Sequence, residues 1–539
     1  MSRRIRIPSF LGGLLSLLPL FSSSVAAQTS SSLPLQLSST HSFQTTHRAP
    51  LRPRPEAEAE VALAFTSDLH GNLQDTQGRP SGLLHLAQPL RKLRGLEPNL
   101  LLIDVGDTLQ GSPENHYFSR IRPRSAPLPV IQVMNALRYD AVVLGNHDFD
   151  PPPKVLLKSL QHSRFPWLAA NLTFNDQPVL PPYVVLERSG VRIGLLGAIT
   201  PGVPLWVDPE HRAELEFEDL SEVAKRWVPV LREQEQVDLV VALLHSGAEV
   251  DYDRDVARLA GLPDVNAAGV VADFAEGVDL IVSGHAHRVF PKRPTSRLTR
   301  YRTPLVSPGS RAEGVMVSRV RMHERSGRWE LAGMEFQWVP AAALPDPELL
   351  QVVKPDLEEV AQWLEVPTRW RFQRRPSREE LDACGPRLQH QAVVEALGGD
   401  FTLLPAWWFW RPLPSAEVGQ PLRRRHLFGW IRYDNTLVQA LQAPRQLELW
   451  QEPWRRWQSG KRVRYHALLK LRGPQEVPED EVAVWFTNYH WNGGSGLAFR
   501  TLRQRSQELQ RRPQTLREVV FEHLRSDATS LPAECSFLE

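Results

Sequence analysis

Apolar runs that stop abruptly at clusters of histidine, aspartate and asparagine recur along the first half of the chain. Val61-Ala62-Leu63-Ala64-Phe65 runs into Asp68-Leu69-His70-Gly71-Asn72, and Leu100-Leu101-Leu102-Ile103 into Asp104-Val105-Gly106-Asp107. Ala141-Val142-Val143-Leu144 is followed by Gly145-Asn146-His147-Asp148-Phe149-Asp150. Leu239 to Leu244 leads to His245-Ser246-Gly247, and Leu280-Ile281-Val282 to Ser283-Gly284-His285-Ala286-His287. Each run is short and aliphatic, which predicts a buried strand ending at a polar turn. Gly145 supplies the backbone freedom for a sharp turn. Helical spacing from Leu83 to Leu93 and from Leu220 to Leu231 separates some of these strands. Strands alternating with helices predict a layered α/β domain.

Open α/β sheets carry their sites at the carboxyl ends of the strands. The five runs therefore deliver Asp68, His70, Asp107, Asn146, His147, Asp150, His245, His285 and His287 to one rim. Neutral imidazole, carboxylate and amide oxygen together suit Mn²⁺, Fe or Zn²⁺ better than Ca²⁺, which takes oxygen ligands. The set exceeds what one tetrahedral ion needs. It fits two ions that share a bridging carboxylate.

The segments Leu305 to Gly309 and Val315 to Arg321 read as closing strands of a domain over residues 61–340. A helical pattern from Pro347 to Leu364 lies in a connecting segment, 341–376. A second domain follows over 377–527, then a tail over 528–539. The second domain is rich in tryptophan, including Trp407, Trp408, Trp410, Trp430, Trp485 and Trp491. Tryptophan at this density more often fills a core than binds a ligand.

A length of 539 residues is too great for one core, which agrees with two domains. A formal net charge of +2 gives no reason to expect a nucleic-acid polymer as partner. Arg3, Arg4 and Arg6 precede an apolar run from Phe10 to Phe21 and the small residues Ser22 to Ala27. This predicts a signal peptide over 1–27, with cleavage after Ala27, and a periplasmic or secreted protein. The Arg3-Arg4 pair leaves twin-arginine export open beside the general route. A Ser/Thr/Pro-rich leader follows over 28–60, and no membrane span is expected after cleavage. The expected state is a monomer. The only cysteines, Cys384 and Cys535, could form one disulfide or a free buried pair.

In order, Asp68-Leu69-His70, Gly106-Asp107 to Gly111, Gly145-Asn146-His147-Asp148, His245 and Gly284-His285-Ala286-His287 resemble the five motifs of calcineurin-like metallophosphoesterases. With its C-terminal features, the chain is similar to the bacterial periplasmic 5′-nucleotidase branch. The resemblance implies a four-layer α/β/β/α domain followed by a smaller α/β 5′-nucleotidase-type C-terminal domain. It implies Asp68, His70, Asp107 and His287 around one metal, and Asp107, Asn146, His245 and His285 around the other. His147 resembles the family's non-ligand histidine, with Asp150 orienting it. Asp148 stands where the family usually has glutamate, a conservative departure. In the second domain Arg411, Tyr433, Asn435 and Tyr489 are the candidate substrate contacts. Leu497 stands where the family has a stacking aromatic, so the catalytic half is intact and the specificity half altered.

The function implied is an exported two-metal phosphoesterase. It would act on small-molecule phosphate monoesters of nucleotides, of 5′-nucleotidase or cyclic-nucleotide phosphodiesterase type, by attack of a metal-activated hydroxide. The alternatives are a hydrolase of non-nucleotide phosphate or sulfur esters, similar to thiosulfohydrolases, and a non-catalytic secreted binding protein.

Overall fold

The computed structural model describes residues 57–75, 80–212, 214–248, 257–258, 260–293, 300–399, 401–405, 418–431, 434–442, 466–470, 481–492, 507–527 and 530–539. The expected signal peptide, the leader up to residue 56, Arg411, Tyr433 and Leu497 lie outside them.

Two six-stranded sheets form the first domain. In hydrogen-bonded order the first runs Arg328–Pro340, Gly314–Arg325, Glu58–Thr66, Leu101–Asp104, Ala141–Val143 and Trp167–Leu168. The second runs Val289–Phe290, Leu305–Pro308, Leu280–Ser283, Leu239–His245, Val191–Ile199 and Tyr183–Arg188. Four neighbouring strands in each sheet are parallel, and the antiparallel strands lie toward the edges. All five strands expected to carry the site are present, with ends within a few residues of the apolar runs.

The alternation of side chains along these strands explains the layering. Val61, Leu63, Phe65, Leu101 and Ile103 of the first sheet share one core with Ile193, Leu195, Leu239, Val241 and Leu243 of the second. On its outer face, the first sheet packs Ala62, Ala64, Leu102 and Val142 against the helices Leu83–Leu96 and Pro129–Ala136. The second sheet packs Leu196, Val240, Ala242 and Ile281 against Leu220–Pro229 and Ala268–Phe274. The result is the expected α/β/β/α sandwich. Because strands are buried on both faces, they read as continuous apolar runs rather than as alternation. The helix Pro347–Leu364 adds Leu349, Val353, Val360 and Leu364 to the outer core of the first sheet, so it is packed onto the first domain.

The second domain has a five-stranded sheet ordered His466–Lys470, Phe401–Pro405, Val482–Thr487, Thr436–Gln442 and Glu508–Thr515. Helices Arg378–Leu397 and Leu516–Arg525 cover one face around Leu388, Leu437, Trp485 and Phe521. Trp430, Trp485 and Trp491 are buried, so these three fill cores. Two stretches differ from the sequence reading. Pro367–Arg371, inside the expected connecting segment, pairs with Pro421–Arg423. The expected tail is structural: Cys535, Phe537 and Leu538 are buried in the same core, and Cys535 is disulfide-bonded to Cys384. Phe537 and Leu538 bury apolar area beside the disulfide at the end of the chain.

Candidate active site

The carboxyl ends of the five strands converge. Ligand-type atoms of Asp68, His70, Asp107 and His287 lie within 4.8 Å of one another, and so do those of Asp107, His245 and His285. Asp107 belongs to both groups. Asn146 joins the second through Oδ1, 3.2 Å from His245 Nε2. His70 Nε2 and His287 Nε2 are 3.0 Å apart, and His245 Nε2 is 3.2 Å from Asp107 Oδ2.

Second contacts fix which ring nitrogens face inward. His245 Nδ1 donates to the carbonyl of Val105 at 2.6 Å, and His70 Nδ1 to that of Gln110 at 3.0 Å. Each leaves Nε2 as the inward lone pair, the arrangement expected of metal-bound histidines. Burial alone would lower His245, but Asp107 and then Asp68 override it and raise its pKa to about 9, so a cation at this Nε2 would displace a proton. Burial, reinforced by His245, pushes His285 down to about 3 and keeps it a neutral donor. Asp107 is fully buried; its Oδ1 accepts from the backbone N–H of His147 at 2.7 Å, and its Oδ2 accepts no hydrogen bond. A buried carboxylate oxygen left open among inward-facing imidazoles fits divalent cations in both groups.

Backbone strain marks the same residues. Asp68, His70, Asp107, His285 and His287 all have positive φ, at 51°, 49°, 61°, 69° and 55°. Non-glycine residues in this region cost of order 1–3 kcal/mol each and persist where the side chain is needed. Gly145 is needed for a different reason from the one its turn suggested. Its φ is −110°, which any residue adopts, but a Cβ there would lie 2.2 Å from Asp107 Oδ1.

His147, on the turn Asn146–Phe149, and Asp150, the residue after it, stand beside the cluster and are 22% and 23% exposed. His147 Nδ1 is 2.7 Å from Asp150 Oδ2, and the His70 and His147 rings are 5.4 Å apart.

Asp148 does more than the sequence reading gave it. Its buried carboxylate accepts backbone N–H groups from Thr108, Leu109 and Gly145 at 2.8 Å and from Asp107 at 3.2 Å. Burial and the charge of Asp107 raise its pKa to about 7, while these N–H donors favour the ionised form. It therefore ties the Asp107 loop to the Asn146–Asp150 turn.

The second domain reaches this rim through two buried contacts that the sequence did not announce. Asp208 accepts from Arg511 Nη1 at 2.6 Å, Asn492 Nδ2 at 3.1 Å and Asn488 Nδ2 at 3.2 Å. Two residues earlier, the ring of Trp206 lies 5.2 Å from that of His285, and Tyr489 packs against the Trp206 cluster. The second contact joins His116 to Asp434 at 3.1 Å, with Arg517 Nη1 2.6 Å from the same Asp434 oxygen. Of the expected substrate residues, Tyr489 and Asn435 are half-buried on second-domain segments adjoining these contacts.

Fold and site together define an α/β/β/α protein with room for divalent cations at the carboxyl ends of its sheets. Residues 61–289 match the family model for the calcineurin-like phosphoesterases, and this part of the chain is a domain of that family. The chain is 26% identical over 345 residues to the 2′,3′-cyclic-nucleotide 2′-phosphodiesterase/3′-nucleotidase of Salmonella typhimurium, covering 58% of this chain and 52% of the relative. It is 30% identical over 237 residues to the 5′-nucleotidase of Vibrio cholerae, covering 42% of this chain and 40% of the relative. The chain thus spans about half the length of these curated relatives or less. Its fold matches a putative 5′-nucleotidase structure from Staphylococcus aureus with a TM-score of 0.70 at 18% identity, over 88% of this chain and 98% of that one. Among the described residues, no helix is long and apolar enough to cross a membrane.

Proposed function

We propose that the protein is an exported, two-metal hydrolase of phosphate monoesters with nucleotides as its substrate class. The observation that carries this reading is Asp107, one buried carboxylate common to both ligand groups with an oxygen free of hydrogen bonds. Asp68, His70, Asp107 and His287 would hold one ion, and Asp107, Asn146, His245 and His285 the other. Bound divalent ions supply charge neutralisation for the transferring phosphoryl group and acidify a water.

The remaining work belongs to His147 and Asp150. Asp150 accepts from His147 Nδ1, and His147 Nε2 would give a proton to the departing oxygen. The Asp150 carboxylate also stabilises the charged imidazole. The His147 backbone N–H on Asp107 Oδ1 ties this acid to the shared ligand, so their separation is held by one hydrogen bond.

Nucleotides are the proposed substrates because the relatives in the sequence comparison bear nucleotidase and cyclic-nucleotide phosphodiesterase names. Tyr489 and Asn435, with Arg411 and Tyr433, are the proposed contacts to the nucleoside. Export rests on the basic, apolar and small-residue order of residues 1–27.

The test is phosphate release from AMP, 3′-AMP and an aryl phosphate by purified protein with added Mn²⁺. Release that stops on chelation and returns with metal is expected. Turnover surviving exhaustive chelation refutes the two-metal reading. Turnover of the aryl phosphate with none of the nucleotides refutes the substrate class.

A further inference from the structure

Three prolines, Pro151, Pro152 and Pro153, follow the turn that carries His147 and leads into Asp150. A proline has no N–H, so the chain ahead cannot satisfy the last carbonyls of that turn. In a 3₁₀ turn the Phe149 carbonyl would accept from residue 152, and in an α turn from residue 153. Both are prolines. The Asp150 carbonyl loses its donor at residue 153 in the same way. Side chains from two distant segments take the place of the missing donors. His211 Nδ1 donates to the Phe149 carbonyl at 3.0 Å, and Arg120 Nη2 to the Asp150 carbonyl at 2.8 Å.

These bonds bracket Asp150. The peptide unit in front of it is held at both ends, since its N–H donates to the His147 carbonyl at 3.3 Å and its carbonyl accepts from His211. A rotation of that unit would swing the Asp150 carboxylate, which is one Cβ from the chain and whose Oδ2 lies 2.7 Å from His147 Nδ1. The donor is itself held. His211 belongs to the single turn Pro209–Arg212, and its own N–H bonds to the Asp208 carbonyl at 2.9 Å. The Asp208 side chain accepts from Arg511, Asn492 and Asn488 of the second domain. Burial lowers the pKa of His211 against the opposing charge of Asp208, which favours the neutral ring with one N–H to give. One short stretch thus meets the second domain through Asp208 and the His147 turn through His211.

We propose that His211 is a positioning residue for the His147–Asp150 pair, acting through the peptide unit in front of Asp150. The role rests on the proposed reaction, in which His147 protonates the departing oxygen and Asp150 orients its ring. Loss of the His211 donor frees the Phe149 carbonyl to turn, and the carboxylate turns with it. The ligand groups around Asp107 stay as they are, because the hold is on the far side of His147 from them in the chain.

The experiment removes the donor from the full chain in His211→Leu and His211→Ala, and returns one in His211→Asn, whose amide Nδ2 stands close to the place of the imidazole Nδ1. Steady-state rates are taken on an aryl phosphate with Mn²⁺, beside elemental analysis of bound metal. Misplacing a positioned group costs turnover, so kcat is expected to fall about tenfold in both donor-free variants, with KM and metal content unchanged. His211→Asn should recover most of the loss. In a His147→Ala background the same substitutions should change kcat by less than about twofold, because the group they position is gone. A support for the fold as a whole would lower kcat there as much as in the wild-type chain, and that result overturns the inference. An unchanged kcat, or a loss of metal, in the donor-free variants overturns it too. Hydrogen exchange of the segment 146–153, read by mass spectrometry, follows the hold without turnover. It is expected to quicken about tenfold in the donor-free variants and to return in His211→Asn, and unchanged exchange refutes the hold. If the wild-type chain turns over no phosphate ester, the proposed function fails, and the exchange alone decides whether His211 holds Asp150.

Discussion

Asp208 of the first domain and Arg511 of the second form an ion pair of 2.6 Å, with side chains only 6% and 18% exposed. Burial would raise Asp208, but Arg511 foremost, with Asn492, holds it below the ordinary carboxylate range. Asn488 and Asn492, which flank Tyr489, donate to the same carboxylate, so this one acid fixes the edge of the second domain against the Trp206–His285 wall. Replacing Asp208 by Asn is expected to raise KM for nucleotides about tenfold, the equivalent of ~1.4 kcal/mol. A double-mutant cycle with Arg511→Gln in urea unfolding is expected to give a coupling of ~1–3 kcal/mol. Additive effects would mean that the pair is incidental.

The His147–Asp150 pair predicts a clean separation of chemistry from metal binding. His147→Ala should retain both ions and lower kcat by roughly 10²–10⁴, the usual contribution of a positioned acid. Asp150→Asn keeps a hydrogen-bonding side chain but removes the charge, and should cost less than His147→Ala. Metal analysis beside steady-state rates checks both. A fall in metal content in His147→Ala would make this histidine a ligand.

Much of this arrangement could be read from residue order alone. Strand ends carrying Asp68, Asp107, Asn146, His245 and His285 stand out because a buried strand must expose its next polar residues at the rim. The same runs imply a layered α/β domain, whereas the four-layer arrangement is implied by the family resemblance. The strand Val191–Ile199 carries no such mark, since it ends in Thr200 and no ligand-type residue follows it directly. The same is true of Trp206 and Asp208, which lie just beyond. The role of Asp148 has no such mark either, because a carboxylate that accepts four backbone N–H groups is defined by the fold and not by its neighbours in sequence. Contacts such as Asp208–Arg511 and His116–Asp434 join residues some 300 positions apart and carry no local signature.

The His116 contact should make docking of the second domain sensitive to alkali. Burial would lower the pKa of His116, but Asp434 and then Glu518 raise it above 6.5. A raised folded value means that the stabilisation is fully present below about 6.5 and is lost as pH climbs through the folded pKa. The Tm difference between wild type and His116→Gln is therefore expected to be largest near pH 6 and to shrink by pH 9. A difference that stays constant or grows over that range would contradict the assignment.

The disulfide between Cys384 and Cys535 closes a loop with a sequence separation of 151. In the chain-entropy model this contributes up to ~5 kcal/mol. Paired Cys384→Ser and Cys535→Ser substitutions should lower the urea midpoint markedly. An unchanged midpoint would show that the burial of Phe537 and Leu538 holds the C-terminus without the bond.

The most direct test of the whole account is the metal content of Asp107→Ala beside that of the wild-type chain. Elemental analysis after dialysis against Mn²⁺ is expected to find two ions per wild-type chain and fewer than one per variant, because Asp107 is common to both ligand groups. Two ions still bound in Asp107→Ala would contradict a shared carboxylate and, with it, the two-metal site.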